Sequence, residues 1–203
     1  APTMADGLHN ISTTATDPAG NTSVHSPALS VTIDTLAPAA PTAALDVNSN
    51  SGSTADNITN DNTPVISGAG ATPGDTITVT FPTGEVLSTT VGSNGSWSIT
   101  PTQALPDGAN QSVLVTATDP AGNVSAPTTV PVRIDTTGPS TPAAPDLLAS
   151  SDTGRSSTDN ATADNTPTFS GTGTPGDTIT VYNGNTALGT AVVDGNGNWS
   201  LTA

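Results

Sequence analysis

The side chains in this sequence with the clearest chemical potential are carboxylates, and nearly all of them belong to aspartate. The chain has 17 acidic residues against two basic ones, Arg133 and Arg155, and a formal net charge of −15. Only one acid, Glu85, is a glutamate. Aspartate favours turns, and its short carboxylate is a hard oxygen ligand for Ca²⁺. The composition therefore predicts cation sites on loops; the alternative is an acidic surface that only keeps the protein soluble.

Two of these aspartates stand at what we interpret as junctions between domains. Asp34 begins Asp-Thr-Leu-Ala-Pro, and Asp135 begins Asp-Thr-Thr-Gly-Pro. Each follows a β-like run, residues 29–33 and 130–134. The proline stiffens the exit because its φ angle is fixed and the preceding residue is driven towards an extended conformation.

The sequence repeats itself with a period of about 100 residues. Ala-Thr-Asp-Pro-Ala-Gly-Asn occurs at 15–21 and 117–123, and Pro-Gly-Asp-Thr-Ile-Thr-Val occurs at 73–79 and 175–181. A period this long indicates a tandem array of independent domains rather than a solenoid of short repeats. We predict that residues 1–34 end one repeat, residues 35–135 form a complete repeat, and residues 136–203 begin a third.

The pattern within the complete repeat is that of short β-strands. Polar and apolar residues alternate around Ile77, Val79 and Phe81, and again before and after the turn at Asp119. About seven such strands in 100 residues, with no helical periodicity, predict an all-β fold class: tandem immunoglobulin-like β-sandwich domains arranged as a rod.

The strands missing from residues 136–203 are those that residues 1–34 would supply. Unpaired strand edges and open cores attract further strands. We therefore expect residues 1–34 of one molecule to complete the last repeat of a neighbour in a crystal. The rival explanation is an intact protein of which this chain is only a part.

The first predicted metal site lies where a repeat is entered. In a sandwich, the turns holding Asp75 and Asp119 share a pole with the preceding Asp34, so the three carboxylates are expected to converge on Ca²⁺. The next junction repeats this with Asp135 and Asp177, and Asp17 of a neighbouring chain is a candidate third ligand. The alternative is that Asp75 caps a turn, Asp119 makes an Asx-turn and Asp34 is merely exposed.

A second predicted site lies in a long polar loop, residues 48–62 in the complete repeat and 151–165 in the next. The loop has no structure evident from its sequence, which indicates function or flexibility. Its oxygens recur at close spacing around a glycine, without the terminal glutamate of an EF-hand. The candidate ligands are Asn50, Asp56, Asp61, Asp152, Asp159 and Asp164. The alternative is a flexible polar loop.

Several motifs together resemble the tandem bacterial Ig-like domains of giant type I-secreted surface adhesins. They are the Asp-Asn-Thr-Pro stretch, Pro-Gly-Asp-Thr-Ile-Thr-Val, Gly-x-Trp-Ser, Ala-Thr-Asp-Pro-Ala-Gly-Asn and the Ile-Asp-Thr junction. The resemblance covers essentially the whole chain. It implies Ca²⁺ at and near domain interfaces, a rigid rod, and attachment of a bacterium to host cells or a surface. Asn48 and Asn50 depart from the Asp found in similar repeats, so that site is expected to bind more weakly.

Other classes of function fit poorly. With two basic residues the chain could not neutralise nucleic-acid phosphates. The complete repeat has no His, Cys or Lys, which removes the usual catalytic bases and the groups that activate nucleophiles. No apolar run reaches membrane-spanning length, and no signal peptide is evident at the start, as expected for a segment from inside a longer chain. A lectin-like module, with Trp97 and Trp199 stacking on sugars, is the alternative.

The partners expected from the sequence are Ca²⁺, neighbouring Ig-like repeats of the same chain, and a host-cell or surface receptor reached through other parts of the protein. No nucleic acid and no membrane insertion are expected. The predicted location is extracellular, secreted or on the bacterial cell surface.

Overall fold

The structure is a computed structural model that describes residues 3–203 and is built from β-strands. The chain divides into two compact units between Thr136 and Thr137, each described by itself. Residues 1 and 2 of the predicted N-terminal segment lie outside the described residues, and the domain boundaries stay predictions. None of the described residues forms a helix that could cross a membrane.

The first unit begins with an antiparallel hairpin of β1 (Gly7–Ile11) and β2 (Leu29–Ile33). Between the two strands the chain makes a tight turn from Asp17 to Asn21. Thr35 donates its hydroxyl hydrogen to the Asp6 carboxylate (2.9 Å), which fastens the start of the junction to the hairpin.

The rest of the first unit is a β-sandwich of eight strands, all within residues 35–136. A five-stranded sheet has the order β4-β10-β9-β6-β7, and a three-stranded sheet has the order β3-β5-β8. The bounds are β3 Ala44–Leu45, β4 Ile58–Thr59, β5 Ile66–Gly68, β6 Thr76–Thr80, β7 Val86–Thr90, β8 Trp97–Ile99, β9 Gln111–Thr118 and β10 Thr128–Ile134. The predicted all-β, immunoglobulin-like fold class is confirmed.

The core lies between these two sheets, and alternation along the strands places it there. Every second residue of β6, β9 and β10 is buried, while the intervening residues are more exposed. The apolar residues on these faces are at most 7% exposed: Ile77, Val79, Phe81, Trp97, Ile99, Val113, Val115, Ala117, Val130, Val132 and Ile134. Burial of aliphatic side chains contributes on the order of 1.5–3 kcal/mol each, which explains how a chain so poor in aromatics folds.

The long loop before β5 has more structure than its sequence indicated. Its residues Ile58 and Thr59 form β4, which pairs in parallel with Arg133 and Ile134 of β10. The amide N–H groups of Arg133 and Asp135 donate to the carbonyls of Asn57 (2.9 Å) and Thr59 (2.8 Å). The expectation that this loop has no structure is therefore wrong for Ile58 and Thr59. The edge of β10 has backbone groups that need hydrogen-bond partners, and these two β-branched residues supply them.

Both tryptophans are core residues, each 5% exposed. Trp97 lies over Gly68, where an added Cβ would come within 2.7 Å of the indole nitrogen and 2.0 Å of the Thr42 carbonyl oxygen. Trp199 lies over Gly171 in the same way, with an indole carbon at 2.7 Å. Because the buried ring leaves no room for a Cβ atom, only glycine fits at Gly68, the last residue of β5, and at its counterpart Gly171.

The second unit contains two separate sheets. β11 (Asp146–Leu147), β12 (Thr168–Thr172) and β15 (Asn198–Thr202) form one, in the order β11-β12-β15, and β13 (Thr178–Asn183) pairs with β14 (Thr186–Val192) in the other. Its buried core cluster contains only Val181, Val193 and Trp199, against 15 residues in the first unit. Phe169 and Ile179, counterparts of the fully buried Ile66 and Ile77, are only partly buried, so this core is open on one side.

Candidate metal sites

Asp34, Asp75 and Asp119 line one surface cavity of about 340 Å³ at the first junction. Asp75 follows the tight turn before β6, Asp119 follows β9, and Asp34 follows β2, so three strand ends bring the side chains to one place. The cavity is also lined by Thr72, Pro120 and residues 36–39. The three predicted ligands therefore share a cavity.

The three carboxylates differ in their surroundings. Asp34 is exposed and accepts a hydrogen bond from the Leu36 N–H at 3.1 Å. Asp75 is only 3% exposed. A buried carboxylate is costly unless hydrogen bonds, a cation or water satisfy it. Asp75 is therefore the most buried carboxylate of the three.

Asp119 organises its own turn. Its Oδ1 accepts the N–H groups of Ala121 and Asn123, both at 2.9 Å, and its Oδ2 accepts Nδ2 of Asn123 at 2.9 Å. The Asn123 side-chain hydrogen bond, followed by its backbone bond, lowers the pKa of Asp119 below the usual 3.8. The carboxylate therefore stays charged in the turn, as either an Asx-turn or a metal ligand would require.

Asn123 is a residue that the sequence reasoning missed. Its Nδ2 also donates to the backbone oxygen of Asp34 at 3.0 Å, which ties the turn to the junction. The signal was available, because the same Asn closes both copies of the Asp-Pro-Ala-Gly-Asn turn. In the first copy, Asn21 donates to Asp17 with matching distances of 2.8 Å from both its nitrogens.

At the second junction Asp135 has a basic partner. The Arg133 guanidinium lies 3.4 Å from its carboxylate, and both side chains are more than 40% exposed. Thr32 stands at the position equivalent to Arg133 before the first junction, so the two junctions differ in charge. Asp177 is half-buried in the second unit, and Asp17 is exposed in the N-terminal segment.

The loop of the complete repeat folds around Ser49 and Asn50, both buried. The Ser49 hydroxyl donates to Asp61 at 3.1 Å and accepts the Val65 N–H at 3.0 Å. Asn50 is 6% exposed, and its side-chain oxygen is buried without a partner. Asp56 is exposed and accepts the Ile58 N–H at 3.0 Å. Asn50 and Asp61 thus flank Ser49, while Asp56 holds the approach to β4.

The loop of the second unit has one more carboxylate, and it also holds Arg155. Asp152 takes the place of Asn50; it is 6% exposed, and its Oδ1 is buried without a partner. Its Oδ2 accepts the Asn160 N–H at 3.2 Å, and Asp159 accepts the next N–H, of Ala161, at 3.1 Å. Asp152 and Asp159 therefore bind adjacent amides of one short segment.

Asp164 closes this second loop as Asp61 closes the first. It accepts the Thr166 N–H at 2.9 Å, and this bond is the main reason that its pKa lies below the usual value. A hydrogen bond from Ser151 also lowers that pKa. Each loop thus holds one buried oxygen without a hydrogen-bond partner, on Asn50 in the first and on Asp152 in the second.

The carboxylates of the junction and of the two loops do not form a complete set of metal ligands by themselves. Among residues 3–203, no three His, Cys, Asp or Glu side chains converge closely enough to hold a metal ion unaided. A calcium ion at either place would therefore draw on backbone carbonyls, amide oxygens and water as well, which Ca²⁺ accepts readily. The donor chemistry of both loops fits Ca²⁺: oxygen ligands only, and at least one of them buried and unpartnered.

Comparison with known proteins places the chain in a family. A solved structure of a 1.5-MDa bacterial ice-binding adhesin, studied for host cell surface retention, is 26% identical, with a TM-score of 0.35. The match covers 98% of this chain and 64% of that one. No curated protein matches. The family model of the bacterial Ig-like domain matches residues 37–136 and again 139–203. The chain therefore belongs to the bacterial Ig-like domain family.

Proposed function

We propose that this chain is a calcium-stiffened spacer segment of a large bacterial surface adhesin, located outside the cell. The observation that carries the proposal is the pair of buried, unpartnered oxygens on Asn50 and Asp152, at the same place in two successive repeats. Leaving such oxygens unsatisfied costs on the order of 1–3 kcal/mol, and more for a charged group. A repeated cost of this kind indicates a ligand that pairs with oxygen.

The proposed mechanism is electrostatic. Without Ca²⁺ the clustered carboxylates repel one another, and the segments that hold them move apart. With Ca²⁺ bound, oxygens from the loop or the junction share one ion, and the local geometry becomes fixed. Extracellular calcium sites operate at dissociation constants of about 10⁻⁴–10⁻³ M. At a hundredfold excess over that constant, binding stabilises the folded state by about 2.7 kcal/mol.

The wider role follows from family membership and the sequence motifs. Ig-like repeats of this family build structural segments, and the acidic, cysteine-free composition suits an extracellular stalk. The motifs also resemble the repeats of the adhesin SiiE, a likeness that rests on the sequence alone. Type I secretion, attachment to host cells or a surface, and a part in virulence belong to the same proposal. Receptor binding is assigned to other parts of the protein.

A lectin-like role has less support. Sugar stacking needs exposed aromatic faces, whereas Trp97 and Trp199 are each only 5% exposed and pack against glycine backbones. For an enzymatic role, the complete repeat lacks the His, Cys and Lys side chains that most often act as catalytic bases or activate nucleophiles. Both tryptophans are better explained as core residues.

The proposal is tested by small-angle scattering and calorimetry on the 203-residue chain, in millimolar Ca²⁺ and then in chelator. We expect heat of calcium binding, together with a scattering profile whose maximum dimension changes on chelation. Identical profiles with no binding heat would refute the proposal. The aspartates would then serve only to keep the protein soluble. Binding heat with identical profiles would show that the chain binds Ca²⁺ but that the ion does not stiffen it.

A further inference from the structure

The segment that enters the complete repeat, residues 34–42, is held by side chains of that repeat. Near its start, Asn123 donates from Nδ2 to the backbone oxygen of Asp34 at 3.0 Å. Near its end, Thr128 donates its hydroxyl hydrogen to the backbone oxygen of Pro41 at 2.6 Å. Pro41 is itself buried. The segment is therefore fastened to the complete repeat near both of its ends.

The hairpin of β1 and β2 holds the residue that follows Asp34. Thr35 donates its hydroxyl hydrogen to the Asp6 carboxylate, whose oxygens lie at 2.9 and 3.2 Å. Two adjacent residues are thus bound from two sides: Asp34 by the complete repeat, through Asn123, and Thr35 by the hairpin, through Asp6. A bend of the chain on either side of these two residues must break one of the two contacts.

The contact between Asp6 and Thr35 has a copy at the next junction. Thr136 donates its N–H to Oδ1 of Asp107 at 3.0 Å and its hydroxyl hydrogen to Oδ2 at 2.8 Å. In both copies the aspartate precedes a glycine, and the threonine follows the junction aspartate 29 residues later. A contact that recurs at the same spacing is a feature of the repeat rather than a chance meeting of surface side chains.

Asn123 joins two segments through one neutral group. Its Nδ2 carries two hydrogens and donates both to Oδ2 of Asp119 at 2.9 Å and to the backbone oxygen of Asp34 at 3.0 Å. The side chains of Asp34 and Asp119 line the same cavity. The amide therefore holds the segments that carry these two carboxylates together, and it needs no cation to do so.

We propose that the Asn123–Asp34 and Asp6–Thr35 contacts form a junction lock, which holds the hairpin against the complete repeat without a metal ion. The lock consists of hydrogen bonds between protein groups, and each bond changes the ratio of locked to unlocked junctions by about fivefold. Asn123 is also a positioning residue for the proposed calcium site, because it keeps Asp34 beside Asp119. This second role rests on the proposed function, whereas the lock itself does not.

Distances between spin labels test the lock directly, because the chain has no cysteine of its own. Labels at Ala28→Cys, just before β2, and Ser88→Cys, in β7, are exposed and report on the hairpin and the complete repeat. In chelator, Asn123→Ala and Thr35→Val are each expected to broaden the distance distribution. The fraction of molecules outside the main peak is expected to rise about fivefold. Thr35→Val keeps the shape of the side chain and removes only the donor.

Each variant has a matched control that loses the same kind of bond elsewhere. Asn21→Ala removes the equivalent bond to Asp17, at 2.8 Å, within the hairpin. Thr136→Val removes the hydroxyl bond to Asp107 at the other end of the complete repeat. Both controls are expected to keep the distance distribution of the parent chain, and equal broadening in the controls would overturn the lock. Thermal unfolding of every variant distinguishes loss of the lock from loss of the fold.

The same labelled chains in Ca²⁺ separate the lock from the calcium proposal. Ca²⁺ is expected to narrow the distribution of the parent chain, and Asn123→Ala is expected to need about fivefold more Ca²⁺ for half of that narrowing. Equal requirements would refute the positioning role of Asn123. No narrowing in the parent chain would refute the calcium role at this junction, while the lock is decided by the result in chelator. Distributions in chelator that are the same in the parent chain, Asn123→Ala and Thr35→Val would overturn the lock, whatever Ca²⁺ does.

Discussion

Asp152 and Asn50 occupy the same buried position in successive repeats, and they differ by one charge. Both have a side-chain oxygen without a partner, yet only Asp152 brings a negative charge into that environment. Ligand charge is one of the main determinants of calcium affinity. The two loops are therefore expected to bind the ion with different strengths, the second more tightly than the first.

Exchanging the two residues tests this difference. We expect Asn50→Asp to strengthen calcium binding in the first loop about tenfold and Asp152→Asn to weaken it in the second about tenfold, because ligand charge sets affinity. Titration calorimetry on the two variants measures both changes. In chelator, Asn50→Asp is expected to destabilise its unit and Asp152→Asn to stabilise its own, because a buried carboxylate without a partner costs more than a buried amide. Unaltered affinity in both variants would mean that neither oxygen binds the ion.

The turn carboxylates predict how stability depends on pH. Asp17, Asp46, Asp119 and Asp164 have pKa values below the usual 3.8, mainly because of local hydrogen bonds. A group whose folded pKa is lowered contributes stability that is present above its unfolded pKa and is lost as pH falls through the folded value. In chelator, thermal unfolding midpoints are therefore expected to be flat from neutral pH down to about pH 4 and to fall below it.

One variant assigns part of that effect to a single bond. Asn123→Ala removes the largest cause of the lowered pKa of Asp119, so the NMR titration of its carboxyl carbon is expected to move up towards the usual value. Asn110→Ala, exposed and outside the turn, serves as the matched control. A titration that does not move in Asn123→Ala would show that the backbone amides alone hold the charge.

Among the strands, β5 depends on a single glycine. Gly68 faces the Trp97 ring on one side and the Thr42 carbonyl on the other, and neither leaves room for a methyl group. The carbonyl belongs to the backbone and cannot rotate away as a flexible side chain would. The packing of the only tryptophan in the complete repeat therefore rests on the absence of a side chain opposite it.

Gly68→Ala is accordingly expected to destabilise the complete repeat by about 1–3 kcal/mol, the usual cost of overpacking a core. Thermal unfolding followed by Trp97 fluorescence measures the change. Trp199→Phe is introduced both with and without Gly68→Ala, so that Trp97 is the only tryptophan that contributes to the signal. Gly138→Ala, where an added Cβ meets nothing within 4 Å, is expected to be neutral. Equal effects of the two glycine substitutions would refute the packing argument.

Strand elements were largely predictable because their signal is local. Alternation alone identified the buried faces around Ile77, Val113 and Val130. β4 was missed because Ile58 and Thr59 are too short a run to show a period, and their strand exists only through its contact with β10. The requirement for glycine at position 68 was missed for a related reason. It depends on contact with Trp97, which is distant in sequence.

The placement of some candidate ligands could be predicted, while their role as metal ligands stays a prediction. Turn chemistry and sandwich topology predicted that Asp34, Asp75 and Asp119 share one end of the sandwich, and all three line one cavity. The burial of Asn50 and Asp152 could not be foreseen, because it arises from loop residues folding back over their own chain. The contact of Arg133 with Asp135 was not predicted, although residues two apart in an extended chain lie on the same face.

At the scale of the whole molecule, the charge of −15 makes the chain sensitive to ions in two separable ways. Added NaCl screens repulsion between exposed carboxylates, while Ca²⁺ binds particular oxygens. We expect the thermal midpoint in chelator to rise gradually with NaCl. Ca²⁺ at 1 mM is expected to raise it further at constant ionic strength, by an amount equivalent to about 0.4–1.4 kcal/mol for dissociation constants of about 10⁻⁴–10⁻³ M.

Magnesium supplies the matched control for this measurement. It has the same charge but demands a tighter octahedral shell and gives up water reluctantly. At equal concentration Mg²⁺ is expected to act as NaCl does, without the additional rise. An equal rise with both ions would show that screening, not site binding, explains the effect.

The parallel pairing of β4 with β10 has a mechanical consequence. The complete repeat is entered ahead of β4 and left after β10, so tension applied through the chain pulls these two parallel segments in opposite directions along their length. The hydrogen bonds from Arg133 to Asn57 and from Asp135 to Thr59 then lie across the direction of pull and are loaded together, as in shear. Bonds loaded together resist force better than bonds opened one at a time, so this short strand fastens the repeat against being drawn out from its ends.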